Sequence, residues 1–172
     1  MSHPAELPEF FLDRSLGSIQ VPTVLRAAGL RLTTLAERYG AEHAQFVRDI
    51  EWLEEAGQRG EVVLMKDSRI YVTPFERSMV RQAGVRCFCL SKKSLKADQM
   101  AQWFLNNLPR MTSACAERGP FMYVLDFRTP NSQLITAYPT AGDYVTETWN
   151  GTPNTSIVPW WVNEGQYSQT LL

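Results

Sequence analysis

The chain is poor in cysteine, histidine and long apolar runs, and each shortage removes a class of protein. Its three cysteines, Cys87, Cys89 and Cys115, form no CxxC pair. An odd count without paired spacing argues against a disulfide framework. The two histidines, His3 and His43, are far along the chain from those cysteines, so a zinc site is not expected. No apolar run approaches the roughly 20 residues that span a bilayer. The opening MSHPAELPEF has no basic stretch leading into an apolar one, so no signal peptide is expected. These absences together predict a cytoplasmic protein without a membrane partner. There is also no GxGxxG, no Walker-type loop and no GxSxG elbow, which removes the usual phosphate cradles and the serine-hydrolase nucleophile. Finally, basic residues stop at Arg128. Residues 129–172 contain Asp143, Glu147 and Glu164 and no Lys or Arg.

What is present is an ordinary globular composition. Hydrophobic residues make up 44% of the 172 and charged residues 20%, enough to build a core. The 17 Lys and Arg nearly balance the 18 Asp and Glu. Charge alone therefore does not announce nucleic acid, and any such reading has to come from a site. EFFLD (9–13), LRLTTL (30–35), EVVLMKD (61–67), VRCFCLS (85–91) and FMYVLDF (121–127) read as strands. VPTVLRAAG, FVRDIEWLEEAGQRG (46–60) and FERSMVRQAG read as helices. LKADQMAQWFLNNLPRMTSACAERG reads as one or two helices broken at Pro109, and ERYGAEHAQ as a loop. Strands alternating with helices predict an α/β fold with a mainly parallel sheet and helices on both faces. The composition break predicts a body over 1–128 and an aromatic-rich extension over 129–172. In that extension Asn150-Gly151 is a hairpin signal. Cys87 and Cys89 alternate on one face of a strand and read as buried thiols, and Trp52 reads as core.

Polar chemistry in parallel sheets gathers beyond the carboxyl ends of the strands. Asp13 ends the first predicted strand and Asp67 the third, while Asp49 opens the apolar part of a helix, with Glu51 two residues on. Carboxylates forced together repel unless a cation neutralises them, and oxygen ligands suit Mg²⁺ or Mn²⁺. A strand-end Asp is as commonly a cap or a turn former. Asp13 is followed by Arg14 and Ser15. It therefore lacks the paired acid of a phospho-receiver and the DxDx(T/V) pattern of an aspartyl-phosphatase. A basic residue accompanies every acid: Arg14 after Asp13, Arg48 before Asp49, and Lys66 and Arg69 around Asp67. They are candidate phosphate contacts or ordinary solvated charges.

The runs FFLDRSLG, VPTVLRAAGLRLTTLAERYG, DIEWLEEAGQRGEVVLMKDSRI and ERSMVRQAGVRCFCLS resemble the PIN-like domains of VapC-type toxins from bacterial toxin–antitoxin pairs, over about residues 9–127. The resemblance places Asp13, Asp49 and Asp67 on the family's acidic positions. It implies a Mg²⁺- or Mn²⁺-dependent ribonuclease with an RNA substrate, a cognate antitoxin protein and a homodimer. Met65 stands where the family often has a small hydroxyl residue. Arg69 stands where some members carry a further acid, which leaves Glu51 as the candidate fourth carboxylate. A non-catalytic PIN-like binding module and a DNA-acting nuclease on the same fold are the competing readings.

Overall fold

The computed structural model describes residues 7–66, 74–90, 94–129, 132–138, 148–149 and 152–153. Strands β1 (Phe10–Leu12), β2 (Leu32–Thr34), β3 (Val62–Met65), β4 (Arg86–Leu90) and β5 (Phe121–Thr129) run parallel, in the order β2-β1-β3-β4-β5. Strand β6 (Ser132–Tyr138) adds an antiparallel edge on β5. The anticipated strand 121–127 therefore extends to Thr129 and is not the last one. Two short strands, β7 (Thr148–Trp149) and β8 (Thr152–Pro153), pair antiparallel on either side of Asn150-Gly151.

Alternation along each strand sends side chains to two cores. Phe10, Leu12, Val62, Leu64, Phe88 and Leu90 face one cluster, closed by α1 (Gln20–Ala27) and α5 (Ala97–Ala114). Phe11, Val63, Met65, Cys87 and Cys89 face the other. That second cluster is closed by α2 (Leu35–Tyr39), α3 (Asp49–Gln58) and α4 (Pro74–Ala83). Helices thus cover both faces, as the βα alternation requires. Trp52 is fully buried and its ring meets Phe11 at 5.6 Å between centroids. Burying such a side chain stabilises the fold by about 1.5–3 kcal/mol. Among the described residues no helix is long and apolar enough to cross a membrane.

Three sequence expectations need correcting. The segment read as a loop over ERYGAEHAQ holds most of α2 and a 3-10 turn, His43–Gln45. Helix α2 starts on a capping box, in which the Thr34 hydroxyl accepts the Glu37 N–H and Glu37 accepts the Thr34 N–H. The helix anticipated from residue 46 begins at Asp49. Helix α5 is continuous through Pro109. A proline there forfeits one backbone bond, but the helix buries Met100, Ala101, Phe104, Asn107 and Met111 on the sheet, and that packing overrides the break.

Gly57 sets how closely α3 approaches the end of α4. A Cβ at this position would lie 1.9 Å from the Ala83 carbonyl oxygen. At an unobstructed helical glycine, Ala stabilises by about 0.4–1 kcal/mol. Here Gly57→Ala is expected to destabilise by roughly 1–3 kcal/mol, because backbone must move. The midpoint of denaturant unfolding reads it, and a raised midpoint would contradict this packing.

Candidate active site

The sheet order reverses at β1, which has β2 on one side and β3 on the other. Such switch points open a crevice at the carboxyl ends of the strands. Asp13 is the residue that follows β1 and is only 5% exposed. Its position is fixed by neighbours on both sides. Its N–H donates to the Leu64 carbonyl at 3.0 Å, which ties it to β3. Its carboxylate caps a 3-10 turn, Arg14–Leu16, by accepting the Ser15 N–H at 3.2 Å. Burial pushes the Asp13 carboxyl above its ordinary value. The Ser15 hydrogen bonds pull against this, and the charge of nearby Asp49 adds to the rise.

Asp49 is the first residue of α3 and is half-buried. An acid in a first turn meets the positive end of the helix dipole. Its Oδ1 accepts the Trp52 indole N–H at 3.0 Å and faces Arg14 at 3.5 Å. Anchored core on one side and arginine on the other therefore aim this carboxylate. Asp67 and Arg69 lie outside the described residues. The strand leading to Asp67 is nevertheless placed: β3 pairs directly with β1, Leu12 opposite Leu64, and ends at Met65. Among the described residues no three His, Cys, Asp or Glu side chains converge on a metal-sized space.

The remaining anticipated residues are engaged in other ways. Glu51 is exposed and paired with Arg48 at 2.6 Å, and that guanidinium holds its carboxyl below the usual carboxylate value. Arg48 is correspondingly occupied. Arg14 braces the protein itself. Its guanidinium donates to the Gln45 carbonyl at 3.1 Å and the Val47 carbonyl at 2.5 Å, besides facing Asp49. Lys66 is half-buried, and its backbone N–H donates to the Ser15 hydroxyl oxygen at 3.0 Å.

Ser15 was not anticipated. It contacts Asp13 and also the residue preceding Asp67, so it links two acid-bearing strand ends. A serine two residues after a strand-end aspartate is an ordinary turn signal, and the partner 51 residues away leaves no local trace. Cys87 is buried in the core, and burial pushes its thiol well up, as expected of an inert packing residue. Beside Asp13 a cleft of about 290 Å³ is lined by Leu12, Thr34, Leu35, Ala41, Ala44 and Gln45 among others.

Comparison with known proteins agrees with this arrangement. A family model described as "PIN like domain" matches residues 8–92. A protein of Mycobacterium tuberculosis strain H37Rv named "Putative ribonuclease VapC45" is 39% identical over 121 residues, covering 70% of this chain and 88% of the relative. No solved structure gives a significant match. The parallel sheet, the family match and the identity to this relative together make the chain a member of the PIN-like domain family of the VapC type.

Proposed function

We propose that the chain is a metal-dependent endoribonuclease, acting in the cytoplasm as the toxin of a type II toxin–antitoxin pair. The observation that carries this reading is the buried Asp13 at the switch point of a parallel sheet, with a second carboxylate, Asp49, held 3.5 Å from the guanidinium of Arg14, the residue next to Asp13. Concentrated negative charge in a cleft is costly, and a hard cation relieves it. The kinship with a named ribonuclease supports RNA as the substrate. A cognate antitoxin protein and a homodimer are part of this proposal, and the VapC-type name of the relative supports the antitoxin.

The donor set fits Mg²⁺ or Mn²⁺, because it consists of carboxylate oxygens without thiolate or imidazole. Asp13, Asp49 and Asp67 would hold the ion. Glu51 would join them only by leaving Arg48. When bound, such an ion lowers the pKa of water and stabilises charge on a phosphoryl group. The protein's own part is positioning. Ser15 and the Leu64 carbonyl fix Asp13. Trp52 and Arg14 fix the Asp49 carboxylate. Lys66, which directly follows β3, and Arg69 would supply positive charge for the RNA backbone, as contacts without sequence information.

Mn²⁺ titration followed by electron paramagnetic resonance tests the ligand set without relying on turnover. Asp13→Asn, Asp49→Asn and Asp67→Asn should each weaken Mn²⁺ binding by about tenfold or more, since a hard cation needs the lost charge. Glu51→Gln should weaken it less. Unchanged Mn²⁺ binding in the three aspartate variants would remove the proposed site.

A further inference from the structure

Phe46 is 79% exposed, the most exposed large apolar side chain among the described residues. A single exposed apolar residue is ordinary by itself. This one is set apart by how it is held. It sits between the turn His43–Gln45 and α3, with its N–H bonded to the His43 carbonyl at 2.9 Å. One arginine braces the backbone on both sides of it. Arg14 donates to the carbonyls of Gln45 and Val47, and the same guanidinium faces the Asp49 carboxylate. The loop that displays Phe46 is therefore fixed in relation to the acids. Gln45, its neighbour, lines the cleft that contains Asp13, and Arg48, two residues on, is an exposed cation.

An exposed aromatic residue on a loop braced against Asp49, with its neighbour Gln45 lining the cleft of Asp13, suits a flat ligand next to a phosphate. We propose that Phe46 is a stacking platform for an unpaired base of the RNA strand, adjoining the phosphate presented to Asp13 and Asp49. This rests on the ribonuclease reading above and adds the means by which the strand is positioned. Every base has a π face, so a ring can hold single-stranded RNA without reading its sequence. Because Arg14 already orders the loop, little ordering cost remains at binding. Arg48, two residues after Phe46, is exposed although paired with Glu51, and single-strand binders combine an aromatic with a nearby cation.

The test uses the full chain carrying Asp13→Asn, so that RNA is bound and not cut, and a short fluorescein-labelled single-stranded RNA read by anisotropy. Adding Phe46→Ala should weaken binding on the order of 10- to 100-fold, the range for one lost base–aromatic stack. Phe46→Tyr and Phe46→Trp should preserve it, and the new Trp should be quenched by the RNA. Phe46→Leu, apolar without a π face, should not restore it. An abasic nucleotide at one position along the strand should erase the difference between Phe46 and Phe46→Ala. If the unmodified chain cleaves RNA and Phe46→Ala binds and cleaves equally well, this inference is overturned while the ribonuclease reading stands. If Phe46→Ala keeps RNA binding and loses a co-expressed antitoxin, Phe46 belongs to a protein interface and the inference is again overturned. If the unmodified chain neither binds nor cleaves RNA, both fall.

Discussion

Asp13→Asn is expected to abolish RNA cleavage and to raise the melting temperature of the metal-free protein. On the proposed function, the loss of activity follows from removing a charge that would hold a hard cation. Roughly 4 kcal/mol of lost transition-state stabilisation corresponds to about a 10³-fold drop in rate. The gain in stability follows from burial, which raises the Asp13 carboxyl above its ordinary value of 3.8. Where the folded pKa exceeds the unfolded one, the folded state binds more protons between the two values. Stability therefore falls as pH rises through that window. Below the ordinary carboxylate value both states are protonated and nothing is lost. Above the raised value the full penalty of a buried charge is present. Asn carries no such penalty, so the advantage of the variant should grow with pH across the window and then level off. Thermal unfolding in EDTA from acid to neutral pH checks this. A variant less stable than the parent at neutral pH would mean that Asp13 supports the fold and does not strain it.

The second large effect is expected at the opposite ends of the strands. The side chain of Arg38, on α2, is only 8% exposed and pairs with buried Glu61, which directly precedes β3. Its guanidinium lies 4.2 Å from the centre of the Phe11 ring and also faces Glu55 at 3.8 Å. Removing one partner of a buried pair strands the other, at a cost of about 3–5 kcal/mol. Arg38→Ala should therefore lower the melting temperature by roughly 6–20 °C for a chain of this size. The double variant Arg38→Met, Glu61→Leu should recover most of that loss, because it leaves no charge buried. A double variant as unstable as the single one would show that packing of the arginine stem, and not the stranded charge, sets the cost.

Periodicity carried the fold well where core contacts are dense. FFL, VVLM and RCFCL are short apolar runs whose alternation feeds two cores, and their spacing by helices leaves the parallel arrangement as the natural one. The place of Asp13 directly after β1 was legible because it ends a short apolar run, and strand ends are where ligands gather in such sheets. Helix α2 went unread although Thr34 and Glu37 form a capping box, because Thr34 also completes an alternating strand pattern. Pro109 misled in the other direction, since local propensity is a weak prior once one helix face is buried. The role of Arg14 could not be read at all. Its partners lie 31 to 35 residues away, and a contact of that range leaves no spacing rule behind. For the same reason the start of α3 was placed too early. Phe46–Arg48 look helical in pattern, but Arg14 occupies the carbonyls of Gln45 and Val47.

On the proposed function, these aspartates would hold a cation with which the chain cuts RNA. The most direct measurement incubates the purified full chain with 5′-labelled single-stranded RNA in EDTA, in Mg²⁺ and in Mn²⁺, with Asp13→Asn beside it. Internal cleavage is expected with either metal, none in EDTA, and none by the variant in any condition. Cleavage that persists in EDTA, or that Asp13→Asn performs at the parent rate, would contradict it.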